Sequence, residues 1–276
     1  MKKIAFQGEP GAFSEDAAIH FFGNEIQPVA CKTFRDVFEI VGSKKCQFGI
    51  LPIENSFTGS IHQNIDFLLE YHLSVIGEII LRIHHNLLAV QGASMKTIRR
   101  IYSHPQAIGQ CSNFLESLNN VEIIPMYDTA GSAKFIMEEG NNEYASIASL
   151  RACKDYGLHA LKSKIENNTQ NYTRFLIVSL KQQPPASGGK TSIVFSNKDD
   201  IPGALFKSLS VFALRDINLL KIESRPLRKG PWKYWFYLDF EGSMKEEACV
   251  NAINHLQEIT SFLKILGSYP SGKVIN

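Results

Sequence analysis

Gln182-Gln183-Pro184-Pro185-Ala186-Ser187-Gly188-Gly189 divides this sequence. Paired prolines and paired glycines without apolar periodicity read as a linker over 183–190. About 180 residues precede it and about 90 follow, both workable domain sizes. Downstream, the pattern predicts a strand at 191–196, a helix at 203–214 and paired strands at 219–224 and 235–240. A helix at 245–259 and a closing strand at 262–266 follow. That βαββαβ order describes a small ferredoxin-like sandwich over 191–276. Upstream, strands at 3–7, 48–53, 101–102, 121–124 and 144–148 alternate with helices, including 106–118 and 130–139. A β-rich run at 173–180 closes the segment. The βα alternation predicts an α/β fold with a mostly parallel sheet, or two of them.

Composition narrows the function classes. With 276 residues, 44% hydrophobic and 20% charged, the chain can bury a large core, which excludes disorder and a disulfide miniprotein. A net charge of +2 is too balanced for a dedicated nucleic-acid binder, so the basic turn 228–233 reads as a solvated hairpin. The five cysteines are scattered and lack C-x-x-C spacing, as in a reduced cytoplasmic protein. No apolar run follows Met1-Lys2-Lys3, so no signal peptide is expected. The most apolar window, 73–90, is broken by Glu78, Arg82, His84 and His85, so no membrane partner is expected. Adjacent His84 and His85 alternate on a strand and chelate poorly, so no metal is expected either.

Five polar clusters follow or open predicted strands, where open α/β sheets hold ligands. Gly8-Glu9-Pro10-Gly11-Ala12-Phe13-Ser14 is a glycine turn entering a helix, with Ser14 read as its cap; such an end offers N–H groups to an anion. It lacks the Gly-Lys-[Ser/Thr] ending of a phosphate loop. Pro52-Ile53-Glu54-Asn55-Ser56, Ser103-His104-Pro105-Gln106-Ala107 and Asp128-Thr129-Ala130 each follow an apolar strand. Asn171-Tyr172-Thr173-Arg174-Phe175 opens one, and its guanidinium is a natural fork for a carboxylate. Each cluster alone also reads as an ordinary turn or cap. All five together favour a cleft for a small polar anion.

In this order the five motifs resemble those of the prephenate dehydratases, and the tail resembles an ACT domain, with Gly203-Ala204-Leu205 and Glu223-Ser224-Arg225-Pro226 in place. The likeness covers essentially the whole chain. No chorismate mutase helices precede it, so the monofunctional form is expected. One departure is Ser146, where the family often has alanine.

The resemblance implies a cofactor-free conversion of prephenate to phenylpyruvate, on the route to L-phenylalanine. It assigns 1–182 to catalysis, in two lobes like those of type 2 periplasmic binding proteins, with 1–80 plus 173–182 in one lobe and 81–172 in the other. It gives Thr173 the decisive role as a positioned proton donor, with Glu54, Asn55 and Gln106 as candidates to complete its network. Substrate oxygens would fall to Arg174, Ser14, Ser56 and Thr129, with Phe175 lining the site, although strand alternation can turn Arg174 away from Thr173. It implies L-phenylalanine as an allosteric effector held by Gly203, Ala204, Leu205, Asn218, Leu219, Glu223, Ser224 and Arg225. Gly203 is expected to admit a close backbone approach. The ACT domains would pair the chain into a homodimer or a dimer of dimers. Arogenate dehydratase and a non-catalytic amino-acid sensor are the alternatives.

Overall fold

The computed structural model describes residues 1–182, 184–199, 201–226 and 234–276. The turn 228–233, expected as a solvated hairpin, lies outside the described residues, as does Gln183 in the expected linker. In chain order the first elements are β1 (Lys2–Gln7), α1 (Phe13–Phe22), β2 (Ile26–Cys31), α2 (Phe34–Gly42), β3 (Phe48–Asn55) and β4 (Gly59–Ser60). Next come α3 (His62–Glu70), β5 (Ser74–Arg82), β6 (Asn86–Ala89), β7 (Arg100–Ser103), α4 (Pro105–Gln110) and α5 (Ser112–Glu116). Then follow β8 (Glu122–Pro125), α6 (Thr129–Glu139), β9 (Tyr144–Ala148), α7 (Leu150–Asp155), β10 (His159–Lys162) and β11 (Tyr172–Ser179). The last are β12 (Lys190–Asn197), α8 (Ala204–Ala213), β13 (Leu219–Pro226), β14 (Tyr234–Glu241), α9 (Glu247–Ile259), β15 (Thr260–Tyr269) and β16 (Lys273–Ile275).

Two compact units result. Unit 1 comprises Met1–Asn64, Ile79–Phe175 and Val274–Asn276; unit 2 comprises Ile65–Glu78 and Leu176–Lys273. Segments 65–78 and 176–182, placed with the first lobe by sequence, thus group with unit 2. Within unit 2, Lys264 Nζ donates to the carbonyls of Leu68, Leu69 and Tyr71 at 2.8–3.0 Å, where α3 ends. Lys190 also pairs with Glu78 at 2.8 Å.

Unit 1 carries two α/β lobes. In the first, β1 lies parallel to β2 and β3, and β4 turns back antiparallel on β3. β1 thus stands between β2 and β3 in that sheet. Strand β2 contains Pro28, which hides it from propensity, and it is tolerated because β2 is the edge. The second lobe has the order β10-β6-β9-β7-β8. There β7 is parallel to β8 and β9, whereas β6 runs antiparallel to β9 and β10, so the sheet is mixed. Its core includes Leu87, Ile98, Ile101, Ala145 and Ile147. The helix expected over 106–118 breaks at Cys111, because Asn167 takes the groups that a continuous helix would pair. Asn167 N–H donates to Gln110 O at 2.7 Å, and Asn167 Oδ1 accepts Asn113 N–H at 3.0 Å.

Unit 2 holds the βαββαβ element order in a sheet ordered β13-β14-β12-β15, antiparallel throughout. Val211 and Phe212 of α8, and Cys249, Ala252 and Leu256 of α9, pack with Ile193, Phe195, Leu238 and Phe240 of the sheet. No helix among the described residues is long and apolar enough to cross a membrane.

Candidate functional site

Unit 1 encloses a cavity of about 490 Å³, a size suited to one small molecule. Both lobes line it: Gln7, Gly8 and Asn55 from the first, and His104, Gln106, Tyr127 and Asp128 from the second. Helices α1, α2 and α6, each of nine or more residues, begin at its wall, α1 at Phe13 and Ser14, α2 at Thr33 and Phe34, and α6 at Thr129. Their first-turn N–H groups and dipoles favour an anion there. Lys32 is the one lysine or arginine among the described lining residues. Asp128, the one carboxylate, is already engaged as the cap of α6. Its Oδ1 accepts Gly131 N–H and its Oδ2 accepts Glu9 N–H at 3.3 Å, while burial raises its pKa.

A buried amide cluster forms one wall. Asn55, at the end of β3, donates from Nδ2 to Thr173 Oγ1 at 3.0 Å, to Asn171 Oδ1 at 2.8 Å and to the Tyr172 carbonyl at 3.1 Å. Its Oδ1 accepts the N–H groups of Phe57 and Thr58, each at 3.0 Å, so the polar loop after β3 clamps the amide. Gln110 donates to the same oxygen at 3.4 Å and receives Asn171 Nδ2 at 3.1 Å. Thr173 is 8% exposed and lines the cavity. Its oxygen accepts from Asn55, and among the described residues no acceptor takes its proton.

Six of the nine catalytic-unit residues expected from sequence line this cavity: Thr173, Asn55, Gln106, Ser14, Thr129 and Phe175. Ser14 does so from inside the first turn of α1 rather than as its cap. Ala12 is the cap residue, and the Glu15 carboxylate takes the Gly11 N–H instead, at 2.7 Å. Gln106 Nε2 donates to Thr58 Oγ1 at 2.7 Å, joining the lobes. Arg174, Glu54 and Ser56 do not line it. Thr173 and Phe175 face the cavity, so alternation turns Arg174 away, where Nη1 lies 3.9 Å from Glu54 Oε2. Ser56 Oγ is held by backbone, donating to Gln170 O and accepting Tyr172 N–H, both at 2.9 Å.

In unit 2, Gly203 caps α8 with φ +80, and a Cβ there would meet nothing within 4 Å. Within one chain, the left-handed backbone is what calls for glycine at 203. Ala204 and Leu205 open α8, whereas Asn218 and Leu219 follow its far end, about 15 Å along the helix axis. One chain therefore does not bring those two groups together. Glu223 pairs with Lys221 at 3.3 Å, Ser224 lies opposite Phe236, and Arg225 pairs with Asp66 of α3.

Sequence reasoning gave no site role to Lys32, His85, Gln110 or Asn171. Gln110 was within reach, since it stands one helical turn after Gln106 and shares its face. His85 was weighed only as half of a chelate, and Lys32 only adjoins a cap.

The loop between β1 and α1 ties the lobes together. Glu9 receives Tyr127 O–H at 3.0 Å and Lys134 at 3.2 Å. The Pro10 carbonyl receives Tyr156 O–H at 2.8 Å, and the Gly11 carbonyl receives Ser149 Oγ at 2.7 Å. Gly11, at φ +87, passes so close to α7 that a Cβ would lie 2.7 Å from Ala152 Cα.

Fold and site together define a two-unit α/β protein whose first unit encloses a cavity bordered by helix N-termini and by a buried threonine whose proton meets no described acceptor. The chain belongs to the prephenate dehydratase family, whose model, "PDT: Prephenate dehydratase", matches residues 4–183. It is 46% identical over 279 residues to "Arogenate dehydratase/prephenate dehydratase 2, chloroplastic" of Arabidopsis thaliana, covering 97% of this chain and 72% of that one. A solved prephenate dehydratase from Arthrobacter aurescens, described as in complex with L-Phe, superposes with TM-score 0.88 and 30% identity over 97% of this chain and 90% of its own. GqqA, described as a novel type of quorum quenching acylase, superposes with TM-score 0.87 and 32% identity over 98% of both chains.

Proposed function

We propose that this chain removes carbon dioxide and water from a cyclohexadiene dicarboxylate of the arogenate and prephenate type. Arogenate is expected to be turned over at least as well as prephenate. The observation that carries the reading is the Thr173 hydroxyl, which accepts from Asn55 and leaves its own proton directed to no described acceptor beside the cavity. When the ring carboxylate leaves as carbon dioxide, its electron pair enters the ring. The 4-hydroxyl then departs as water with the proton given by Thr173, the ring becomes aromatic, and solvent returns a proton to the threonine oxygen. So favourable a reaction mainly requires orientation and one placed proton. The convergent helix N-termini and Lys32 would hold the carboxylates, in place of Arg174. Arogenate stands beside prephenate because the 46% identical relative is named for both activities. Arogenate would yield phenylalanine, and prephenate phenylpyruvate. Parallel incubations, read by amino-acid analysis and by phenylpyruvate absorbance, test the reading, and aromatisation of neither substrate overturns it.

For unit 2 we infer an L-phenylalanine site shared between two copies of the chain. The βαββαβ order and the L-Phe named with the Arthrobacter aurescens structure support it. L-Phenylalanine is expected to weaken turnover by roughly 5–150-fold, the usual range of allosteric coupling. Gly203→Val, which strains the left-handed cap, should relieve that inhibition while leaving basal turnover in place. Equal inhibition of this variant and the parent would place the effector elsewhere.

A further inference from the structure

Two backbone N–H groups set the direction of a whole chain of side-chain hydrogen bonds. Phe57 and Thr58 both donate to Asn55 Oδ1, so Nδ2 is the end that faces Thr173. The Tyr172 carbonyl can only accept, and it fixes the same orientation from the other side. Asn171 Oδ1 therefore accepts from Asn55, and Asn171 Nδ2 donates to Gln110 Oε1. Gln110 is thereby left with Nε2 toward Asn55. Gln110 Oε1 also lies 2.7 Å from His85 Nε2, and since an amide oxygen only accepts, that ring nitrogen carries the proton. Along the path His85, Gln110, Asn55 one bond at each step donates in the direction of the Thr173 oxygen, while the Asn171 branch closes a ring from Asn55 back to Gln110.

From this geometry we infer that His85 is a positioning residue, whose Nε2–H, acting through Gln110, holds the amide chain polarised toward Thr173 and strengthens the Thr173 hydroxyl as a donor. The inference rests on the dehydratase reading. Hydrogen bonds aligned in one direction polarise one another. The opposite tautomer would require Gln110 to turn over, setting its oxygen against Asn55 Oδ1. His85 is 2% exposed, and Nδ1 has no hydrogen-bond partner among the described residues, so the ring is held by the Nε2 contact and by a near-perpendicular contact with the Phe13 ring. Burial also lowers its pKa and keeps it neutral.

His85→Phe keeps a ring and removes the donor, whereas His85→Gln can place an amide N–H at the position of Nε2. In the full chain, His85→Phe should lower kcat about five- to tenfold, as for one lost hydrogen bond, with KM within about twofold. His85→Gln should recover most of that loss. Imidazole ¹⁵N shifts of the parent chain should show the Nε2–H tautomer, a readout independent of turnover and of whether His85→Phe folds. Without turnover of arogenate or prephenate by the parent, the dehydratase reading fails and the tautomer alone judges the hydrogen-bond chain. An active parent together with an Nδ1–H tautomer, or with His85→Gln no better than a folded His85→Phe, overturns the role of His85.

Discussion

Two buried hydroxyls, Thr173 in unit 1 and Ser192 in unit 2, sit in polar clusters of similar make-up and opposite completeness. Ser192 directs its proton to Asp239 Oδ1 and has the hydroxyls of Tyr237 and Tyr269 at its oxygen, with all four residues nearly inaccessible. Its hydrogen-bonding capacity is filled. Thr173 has an equally fixed oxygen but a proton with no described acceptor, and it borders a cavity. Closed networks stabilise a fold, whereas a network left open at one atom prepares that atom for a ligand.

Breaking each cluster should therefore produce different losses. Thr173→Ala should cut kcat by about 10²–10⁴-fold, as expected for a lost proton donor, with little change in Tm, and Thr173→Ser should retain much more. Thermal melts beside steady-state kinetics check this. A Thr173→Ala chain that turns over normally would remove the contrast. Asp239→Ala should do the reverse, lowering unfolding free energy by about 1–3 kcal/mol by stranding Ser192, while the Thr173 cluster is untouched. Denaturant titration measures it.

Acid should act on the open cluster through His85. Its pKa is lowered in the folded chain, chiefly by burial, so the unfolded chain takes up the proton first as pH falls below about 6.5. Stability from this group is complete above that value and falls with decreasing pH, by up to about 1.4 kcal/mol per unit. His85→Gln should flatten that slope in melts between pH 5 and 7, a window chosen about the ordinary histidine pKa.

Smaller effects sharpen the picture of the cavity. Lys32→Ala should raise KM by about fivefold, the scale of an exposed charge pair, whereas Arg174→Ala should leave KM alone and lower Tm. The opposite pattern would restore Arg174 to the substrate. Last is Ser146, fully buried on β9 between β6 and β7 with its hydroxyl unpartnered among the described residues. Ser146→Ala, the residue the family often carries, should raise stability by about 1 kcal/mol in denaturant titration.

What the sequence disclosed follows the range of each interaction. The βαββαβ unit and most strands were legible because apolar periodicity and turn residues act within a few positions. Thr173 and Asn55 were reached through their motifs, though the bond between them spans 118 positions. Arg174 was misplaced because its chemistry suits a carboxylate, while its direction depends on the side its neighbours take on β11. The break at Cys111 depends on Asn167, which lies 54 positions from the Asn113 amide it receives. Gln110 and His85 acquire meaning only once Asn55 is clamped by the loop after β3.

At Gly11 the two lobes of unit 1 meet closely enough to exclude a side chain. The lobes meet there with backbone against helix, and the bonds around that point, from Glu9, Pro10 and Gly11 to Tyr127, Lys134, Tyr156 and Ser149, are polar and individually modest. Such a seam would part and reseal without exposing a large apolar face, as the proposed turnover of a charged molecule would require. A side chain at position 11 would act as a wedge. It would hold the mouth ajar, admit water beside the threonine and shorten the time a captured ligand stays inside, with no catalytic atom replaced.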